Sequence, residues 1–376
     1  MKRLLIFGVT KLEDMLEKGN VWYVRHYEAY FDEVYVVYLR GEKPIEVKQG
    51  RTTLVSLGKG NGFFDILLAP CRLFKFAKKI KPTHYLTADL VFSWWNSILV
   101  RLLLGARIYL MPVCLPYQIY ENFKKSLISH LPIWLEKKFI KLSFFSAFRV
   151  ITGKNIKRFI DWLSSLRYTK DKLIVIDVIP EELPPFEFYE ALKNDVSFVR
   201  SNKELNILYV GRLHREKIVE DLIEMLAYIK KTGLRVHLRI IGDGPERENL
   251  ETLASETGVR EWIDFLGFKP NKELINYYKS ADVFVSPLTG TSLREAALCK
   301  LPVVAYNIDW QKDLLKDEEN ALMVEYRDPK ELARQVIRIL TDKSLKKRIA
   351  DNFYKLALEY WGQEKVFKAL QQAFGF

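Results

Sequence analysis

Two basic side chains, Arg212 and Lys217, stand where an apolar run of the sequence gives way to a helical pattern. The run Ile207–Val210 ends at Gly211, and apolar residues then recur at three- and four-residue spacing over 218–229, as in an amphipathic helix. The start of a helix already favours anions, because its first N–H groups are unpaired and its dipole is positive there. Two cations at the same place therefore predict a strongly anionic ligand.

The composition is compatible with such a ligand. A net charge of +12 over 376 residues implies an acidic partner: nucleic acid, a membrane surface or a phosphorylated substrate. The three cysteines and five histidines lack metal-ligand spacing, so we predict no metal site. No apolar stretch approaches the roughly 20 residues of a spanning helix. The first residues resemble a buried strand and not a signal peptide, which predicts a cytoplasmic protein.

The length of the chain predicts two domains. In both halves, short apolar runs alternate with helical stretches, the pattern of an α/β protein with parallel sheets. Ligands of such sheets bind beyond the carboxyl ends of the strands, where Arg212 is expected. The proline-rich, charged stretch 180–204 suggests an interdomain linker.

Six sequence blocks between about Leu205 and Leu340 resemble, in their order, the C-terminal half of family-4 (group 1) glycosyltransferases. The blocks are YVGRLHREKIVEDLI, IIGDGPERENLETLA, IDFLGF, ELINYYKSADVFVSP, LREAALCKLPVVAY and ALMVEYRDPKELARQVIRIL. The resemblance implies the GT-B fold, in which two Rossmann-like, doubly wound domains face each other across a cleft. The acceptor domain would span 1–185, completed by a C-terminal helix at about 346–376, and the donor domain would span 200–345.

The resemblance also implies an activity. A metal-independent, hexosyltransferase-type enzyme would move a sugar from a nucleoside-diphosphate sugar to a glycan or lipid-linked acceptor hydroxyl. The family implies retention of anomeric configuration and no cofactor. Arg212 and Lys217 match the Arg and Lys that stabilise the leaving diphosphate, a role that suits preorganised cations. The catalytic base is not assigned, and a solvated basic loop remains the alternative for this pair.

Further donor contacts follow from the same motifs. Glu295 matches the second Glu of the family's paired-Glu motif, which holds the donor ribose; the alternative is a first-turn Glu that complements the helix dipole. The stretch Gly290, Thr291, Ser292 and Leu293 would bring N–H groups and hydroxyls to the donor, or would be a plain helix start with Ser292 as N-cap. The other predicted donor contacts are Gly19, near the sugar or phosphate, and Gly267 and Phe268, near the base.

The sequence departs from the family at two places. Pro287 stands where the family has its first Glu, and the stretch YLMPVCLPYQIY lacks the His that many retaining members carry. His26 is interpreted as a helix-face residue. Asp89 follows another predicted strand and is a candidate acceptor contact or base, with an N-cap as the alternative. Gly242 to Pro245 is explained by a turn that leads into a helix.

Residues 123–149 mix cations with apolar side chains. The set contains Lys124, Lys125, Lys137, Lys138 and Lys141 together with Trp134, Phe139, Phe144 and Phe145. Such a segment fits an anionic membrane and a lipid-linked acceptor, which would place the protein at the inner face of the membrane. An amphipathic core helix with a solvated basic face is the alternative.

Two other function classes remain open. The missing Glu and His favour a non-catalytic GT-B scaffold that binds a nucleotide sugar or a partner protein, whereas Arg212, Lys217 and Glu295 argue against it. A nucleic-acid binder is the third class. Basic charge without a nucleic-acid-binding motif is weak evidence, so we predict no nucleic-acid partner.

Overall fold

The computed structural model describes residues 1–17, 20–40, 43–58, 63–88, 93–111, 141–153, 160–161, 163–164, 171–176, 183–184, 186–193 and 205–376. The chain divides into two compact units. One consists of Met1–Glu182 and Glu364–Phe376, and the other of Leu183–Gln363.

Strands and helices alternate through most of the described chain, as the apolar runs predict. The strands are β1 (Arg3–Lys11), β2 (Glu33–Arg40), β3 (Ile45–Gln49), β4 (Thr52–Ser56), β5 (His84–Thr87), β6 (Arg107–Leu110), β7 (Arg149–Gly153), β8 (Leu173–Ile176), β9 (Leu205–Val210), β10 (Val236–Ile241), β11 (Ile263–Phe265), β12 (Val283–Ser286), β13 (Val303–Tyr306) and β14 (Leu322–Val324). The helices are α1 (Leu12–Glu17), α2 (Phe63–Ile80), α3 (Ser93–Leu104), α4 (Phe186–Lys193), α5 (Glu220–Lys230), α6 (Arg247–Glu256), α7 (Asn271–Ser280), α8 (Thr291–Leu298), α9 (Gln311–Leu314), α10 (Pro329–Thr341), α11 (Lys343–Trp361) and α12 (Gln363–Phe374). Shorter 3₁₀ segments include Asn20–Ala29 and Arg215–Lys217.

The first unit is built on an eight-stranded sheet in the order β3-β4-β2-β1-β5-β6-β7-β8. Its neighbouring strands are parallel except for β3 and β4, which pair antiparallel. Buried apolar side chains of these strands, such as Leu5, Val37 and Ile108, form one core with helix residues such as Leu73 and Val100.

The second unit is built on a six-stranded parallel sheet in the order β11-β10-β9-β12-β13-β14. Strand β9 is central, and the strand order reverses between β9 and β12. Doubly wound sheets bind ligands at this switch point, beyond the carboxyl ends of the strands. The residues that follow β9 therefore lie at the expected ligand-binding edge.

The C-terminal helical stretch is divided between the units, which corrects the predicted helix over 346–376. Helix α11 belongs to the second unit and packs on α8 and α10. Gly362 is its C-cap, with an extended backbone, and the position requires glycine because a Cβ there would lie 2.5 Å from the carbonyl oxygen of Leu358. Only α12 joins the first unit, where the Phe374 ring meets those of Tyr27, Phe31 and Tyr109 at centroid distances of 4.6–6.0 Å.

The predicted linker also contains regular structure. Helix α4 lies within it and belongs to the second unit, where the Phe188 ring packs against the Tyr278 ring of α7 at 6.0 Å. Two aromatic residues in the sequence FEFYEALK bury against this unit, with Phe188 0% and Tyr189 5% exposed. Burial of this apolar face stabilises a helix here, although the prolines and charges of the sequence indicated a linker.

Candidate functional site

Three loops meet at the carboxyl edge of the second sheet. The Gly211 N–H donates to the Ile241 carbonyl at 2.9 Å, and the Leu213 N–H donates to the Asp243 carbonyl at 3.0 Å. The Gly242 N–H donates in turn to the Gly267 carbonyl at 2.9 Å. These bonds continue the pairing of β9, β10 and β11 beyond the strands and fix the loop that carries the two cations.

Glycines make the close approach of these loops possible. Gly242 has a φ of +136°, and a Cβ at this position would lie 1.8 Å from the Gly211 carbonyl oxygen. A Cβ at Gly244 would lie 2.2 Å from the Leu213 carbonyl oxygen. The turn predicted at Gly242 to Pro245 thus also has a packing role, because only glycine lets it touch the 211–217 loop.

Arg212 and Lys217 lie on this loop and share one carboxylate. The Arg212 Nη2 is 2.8 Å from the Glu216 Oε1, and the Lys217 Nζ is 3.9 Å from the same atom. The Arg212 side chain is 72% exposed, whereas that of Lys217 is 18% exposed. Burial lowers the pKa of Lys217 and Arg212 lowers it further, against the influence of Glu216 and Asp309. Lys217 is therefore a partly desolvated cation beside a second cation, a setting that favours an incoming anion.

The helix after this loop contributes less to anion binding than the sequence predicted. Helix α5 begins at Glu220, beyond Ile218 in a left-handed conformation, and its first turn carries Glu220 and Asp221. The Arg327 Nη1 binds these two carboxylates at 2.6 and 2.8 Å. Because carboxylates of the chain itself occupy the positive end of the helix, the prediction that this end binds the anion is corrected. The loop cations remain as candidate ligands.

Helix α8 begins at the carboxyl end of the neighbouring strand β12. Its N-cap is Gly290, so the alternative of Ser292 as N-cap is wrong; Ser292 lies inside the helix and is 8% exposed. Leu293 is 0% exposed, and its side chain is a core residue. A Cβ at Gly290 would meet nothing within 4 Å, so the backbone of Gly290 and Thr291 borders open space.

A buried amide holds the loop in which Pro287 replaces the family's first Glu. The Gln311 side chain is fully buried, and its Nε2 donates to the carbonyls of Tyr306 at 3.1 Å and of Ser286 and Pro287 at 3.3 Å. Its Oε1 accepts from the Ser286 hydroxyl at 2.5 Å. No motif of the sequence pointed to Gln311. Its signal, a Gln five residues after the end of a buried strand, is weak without the structure.

Glu295 lies in the interior of the second unit. It is 4% exposed, and the Tyr278 hydroxyl of α7 donates to its Oε2 at 2.7 Å. Burial raises the pKa of Glu295 to about 7, against the lowering influence of Tyr278 and Arg294. Because Glu295 is the fifth residue of α8, the alternative of a first-turn Glu on the helix dipole is wrong.

The other predicted site residues lie in different parts of the chain. Gly267 has a φ of +68° and follows β11, and Phe268 beside it is 49% exposed. His26 is fully buried within the 3₁₀ segment Asn20–Ala29. Gly19 and Asp89 lie outside the described residues.

No group of three His, Cys, Asp or Glu side chains in the described ranges could hold a metal ion. Within those same ranges, no helix has both the length and the apolar character needed to cross a membrane.

Residues 190–356 match the profile of a family described as glycosyl transferases, group 1. Over this segment, which is less than half of the 376 residues, the chain is similar to the group 1 glycosyltransferases. An uncharacterized glycosyltransferase of Methanocaldococcus jannaschii is 31% identical over 236 residues, 60% of each chain. A 2-deoxystreptamine glucosyltransferase of Streptomyces kanamyceticus is 30% identical over 178 residues, 45% of this chain and 46% of the relative. An alpha-monoglucosyldiacylglycerol synthase of Acholeplasma laidlawii is 30% identical over 157 residues, 41% and 38% of the two chains. The matches thus span 38–60% of these relatives' lengths.

Solved structures extend the likeness to the fold of the whole chain. A sucrose-phosphate synthase from Thermosynechococcus elongatus has a TM-score of 0.67 at 17% identity, covering 100% of this chain and 98% of that one. The Anabaena protein HepE, solved with UDP and glucose, has a TM-score of 0.68 at 14% identity, with both chains fully covered. The chain therefore has the GT-B fold, and the predicted fold class is confirmed.

Proposed function

We propose that this chain transfers a sugar from a nucleoside-diphosphate sugar to an acceptor hydroxyl. The observation that carries the proposal is the pair Arg212 and Lys217 on the loop after the switch-point strand. Two cations at this edge share one carboxylate, Glu216. A diphosphate carries at least two negative charges and therefore competes well with Glu216 for both cations.

The chemistry follows from this placement. The bond between the anomeric carbon and the diphosphate oxygen breaks, and the oxygen of the acceptor hydroxyl bonds to that carbon. The departing diphosphate gains charge as the bond lengthens, so preorganised cations stabilise the transition state more than the ground state. The acceptor proton passes to a base, for which we propose the leaving phosphate oxygen, with retention of configuration. Protein cations take the role that a metal ion has in other phosphate chemistry.

Other residues would complete the donor site. We assign the backbone N–H groups of Gly290, Thr291 and Ser292 to the sugar or phosphate, and Gly267 and Phe268 to the nucleobase. The Oε1 atom of Glu295 would accept from a ribose hydroxyl, because its Oε2 already has the Tyr278 hydroxyl. Gly19 and Asp89 keep their proposed roles as a donor-loop glycine and an acceptor contact.

Nucleotide titration tests this function directly. Calorimetry with UDP, GDP and ADP in the absence of metal should show micromolar binding of one nucleotide, which also identifies the base. Incubation with the matching nucleotide sugars should then release that nucleotide. Binding without transfer would favour the non-catalytic scaffold, to which the replacement at Pro287 points. Absence of binding to all three nucleotides would reject the donor site itself.

Glu295 should make stability depend on pH. Its pKa of about 7 in the folded protein exceeds the ordinary value of 4.5, so the folded state holds this proton more tightly than the unfolded state. The contribution of Glu295 to stability is thus fully present below pH 4.5 and is lost as pH rises through 7, by about 3 kcal/mol in total. Glu295→Gln should remove this decline, as measured by urea unfolding between pH 5 and pH 8.

Glu331→Gln is the matched control. The hydrogen bond from Arg334 lowers the pKa of Glu331, so the contribution of Glu331 to stability changes with pH in the opposite direction. If wild type and Glu295→Gln have the same pH profile, the assigned protonation of Glu295 is wrong.

We further propose that the first unit associates with an anionic membrane, as predicted from residues 123–149. Residues 123–140 lie outside the described part, but 141–149 contain Phe145 at 71% exposure and Phe148 at 46%. Leu102 and Leu103, at the end of α3, are 73% and 62% exposed. The Arg101 Nη1 joins these segments by donating to the Ser146 carbonyl at 2.8 Å.

Cations border this apolar surface. The Lys172 ammonium donates to the Phe145 carbonyl at 3.2 Å, and the guanidinium carbons of Arg107 and Arg149 lie 5.3 and 5.6 Å from the Phe148 ring centroid. Exposed aromatic and aliphatic side chains among cations suit the interface of anionic lipids. The A. laidlawii relative is named for a lipid product, which agrees with a lipid-linked acceptor.

Vesicle sedimentation tests the membrane surface. The double variant Leu102→Ser/Phe145→Ser should bind phosphatidylglycerol vesicles about tenfold more weakly than wild type, because two apolar groups no longer enter the bilayer. Leu358→Ser, at a side chain 46% exposed in the second unit, is the control and should bind like wild type. Equal binding by the double variant would reject the surface. If light scattering finds the wild type to be a dimer and the double variant a monomer, the surface is assigned to self-association instead.

A further inference from the structure

A second basic site lies at the opposite edge of the second sheet. A cavity of about 390 Å³ is bordered by the ends of α7 and α8, the residues before β12 and β13, and the first turns of α11. These residues lie at the amino ends of the strands, whereas the 211–217 loop follows a carboxyl end. Five lysines line the cavity: Lys279, Lys300, Lys343, Lys346 and Lys347.

Two carboxylates neutralise part of this charge. The Lys346 Nζ lies 2.6 Å from the Oδ1 of Asp282, a carboxylate that is 1% exposed and also accepts from the Asn206 N–H at 2.9 Å. The Lys300 Nζ lies 2.6 Å from the Asp351 Oδ1. Hydrogen bonding from Lys300 lowers the pKa of Asp351, and the charges of Lys347 and Lys355 add to this effect. Positive charge therefore remains in excess around the cavity.

The cavity lysines lie at the ends of helices. The first turn of α11 contains Lys343 and Lys346, and the carboxylate of its N-cap Asp342 accepts from the Leu345 N–H at 2.9 Å. Lys300 follows α8 with a φ of +57°, the left-handed conformation in which glycine usually ends a helix. The chain itself thus caps this helix, and the attraction of the cavity for an anion comes from its five lysine side chains.

We propose that this cavity binds a multiply charged phosphate compound. The ammonium groups of Lys343, Lys347 and Lys300 would contact the phosphate oxygens. Apolar groups of Ala281, Leu301, Pro302 and Ala350 line the same cavity, so an adjoining short apolar group would also fit. The site is separate from the proposed donor site and does not depend on the proposed activity.

Calorimetric titration with inorganic triphosphate at low ionic strength tests the site. Because triphosphate also competes for the 211–217 loop, the titration uses the Lys217→Ala protein as its background. In that background, Lys343→Gln/Lys347→Gln should weaken triphosphate binding at least tenfold, and added salt should weaken binding to the unsubstituted cavity. Lys78→Gln/Lys79→Gln, an equal charge change on α2, should leave the affinity unchanged. Equal affinity in the cavity variant and its background would overturn the proposal.

A second variant separates binding from folding. Lys300→Gly keeps the left-handed turn without strain and removes one cavity cation, so it should fold normally and bind triphosphate several-fold more weakly. The nucleotide titration of the donor site should be unaffected by either variant, which keeps the two proposals distinguishable.

Vesicles of phosphatidic acid identify the source of the phosphate. Weaker vesicle binding by Lys343→Gln/Lys347→Gln than by Lys78→Gln/Lys79→Gln assigns the cavity to a lipid headgroup. Equal vesicle binding, with the loss of triphosphate affinity retained, assigns it to a soluble phosphate compound.

Discussion

Replacement of Lys217 by alanine should lower kcat/KM for sugar transfer by about a hundred- to a thousandfold, the loss typical of one preorganised charge-stabilising group. The Lys217 ammonium is partly desolvated on a loop fixed to β10, so little reorganisation precedes its contact with the diphosphate. The effect should appear mainly in kcat, because charge on the diphosphate grows as the bond breaks. Initial rates at varied donor concentration measure both constants.

Arg215→Ala is the matched control for Lys217→Ala. Arg215 lies on the same loop and is 88% exposed, with Glu246 as its partner at 3.7 Å. Its loss should change kcat/KM less than about threefold, because an exposed ion pair contributes little. Wild-type kcat/KM in a folded Lys217→Ala protein would remove Lys217 from the mechanism and leave Arg212 as the main cation.

The second unit was predictable largely from local pattern. Each of its strands is a short apolar run, and the turn residues between runs mark the edges of the sheet, so the order of elements could be inferred along the chain. The placement of Arg212 and Lys217 after a central strand followed from the same pattern. The position of Glu295 on a helix was also predictable, but its burial was not, because Tyr278 lies on another helix.

Contacts between residues far apart in the sequence explain why some features of the site were predicted wrongly or not at all. The start of α5 looked like a free anion site in the sequence, but Arg327, about a hundred residues away, binds its two acids. Gln311 fixes the loop at Pro287 through three bonds to Ser286 and Pro287 and is itself held by the Tyr306 carbonyl, contacts that no local pattern reveals. Gly362 separates α11 from α12. The sequence around it continues a helical pattern, and only the structure shows that a Cβ at this position would meet the Leu358 carbonyl.

Replacement of Gly242 by alanine should have the largest effect on stability, about 4 kcal/mol less free energy of unfolding for the second unit, since backbone strain and a steric clash combine. The new Cβ would lie 1.8 Å from the Gly211 carbonyl oxygen, and neither backbone can yield without breaking the bonds between the loops. Urea unfolding followed by circular dichroism measures the loss. Gly233→Ala is the control, because Gly233 has a φ of +78° and its Cβ would meet nothing within 4 Å; it should cost about 1 kcal/mol. Equal losses in the two variants would mean that conformational strain alone acts and that the loops do not need this contact. A larger loss for Gly242→Ala, with nucleotide affinity reduced in the protein that remains folded, would show that the glycine positions Arg212 and Lys217.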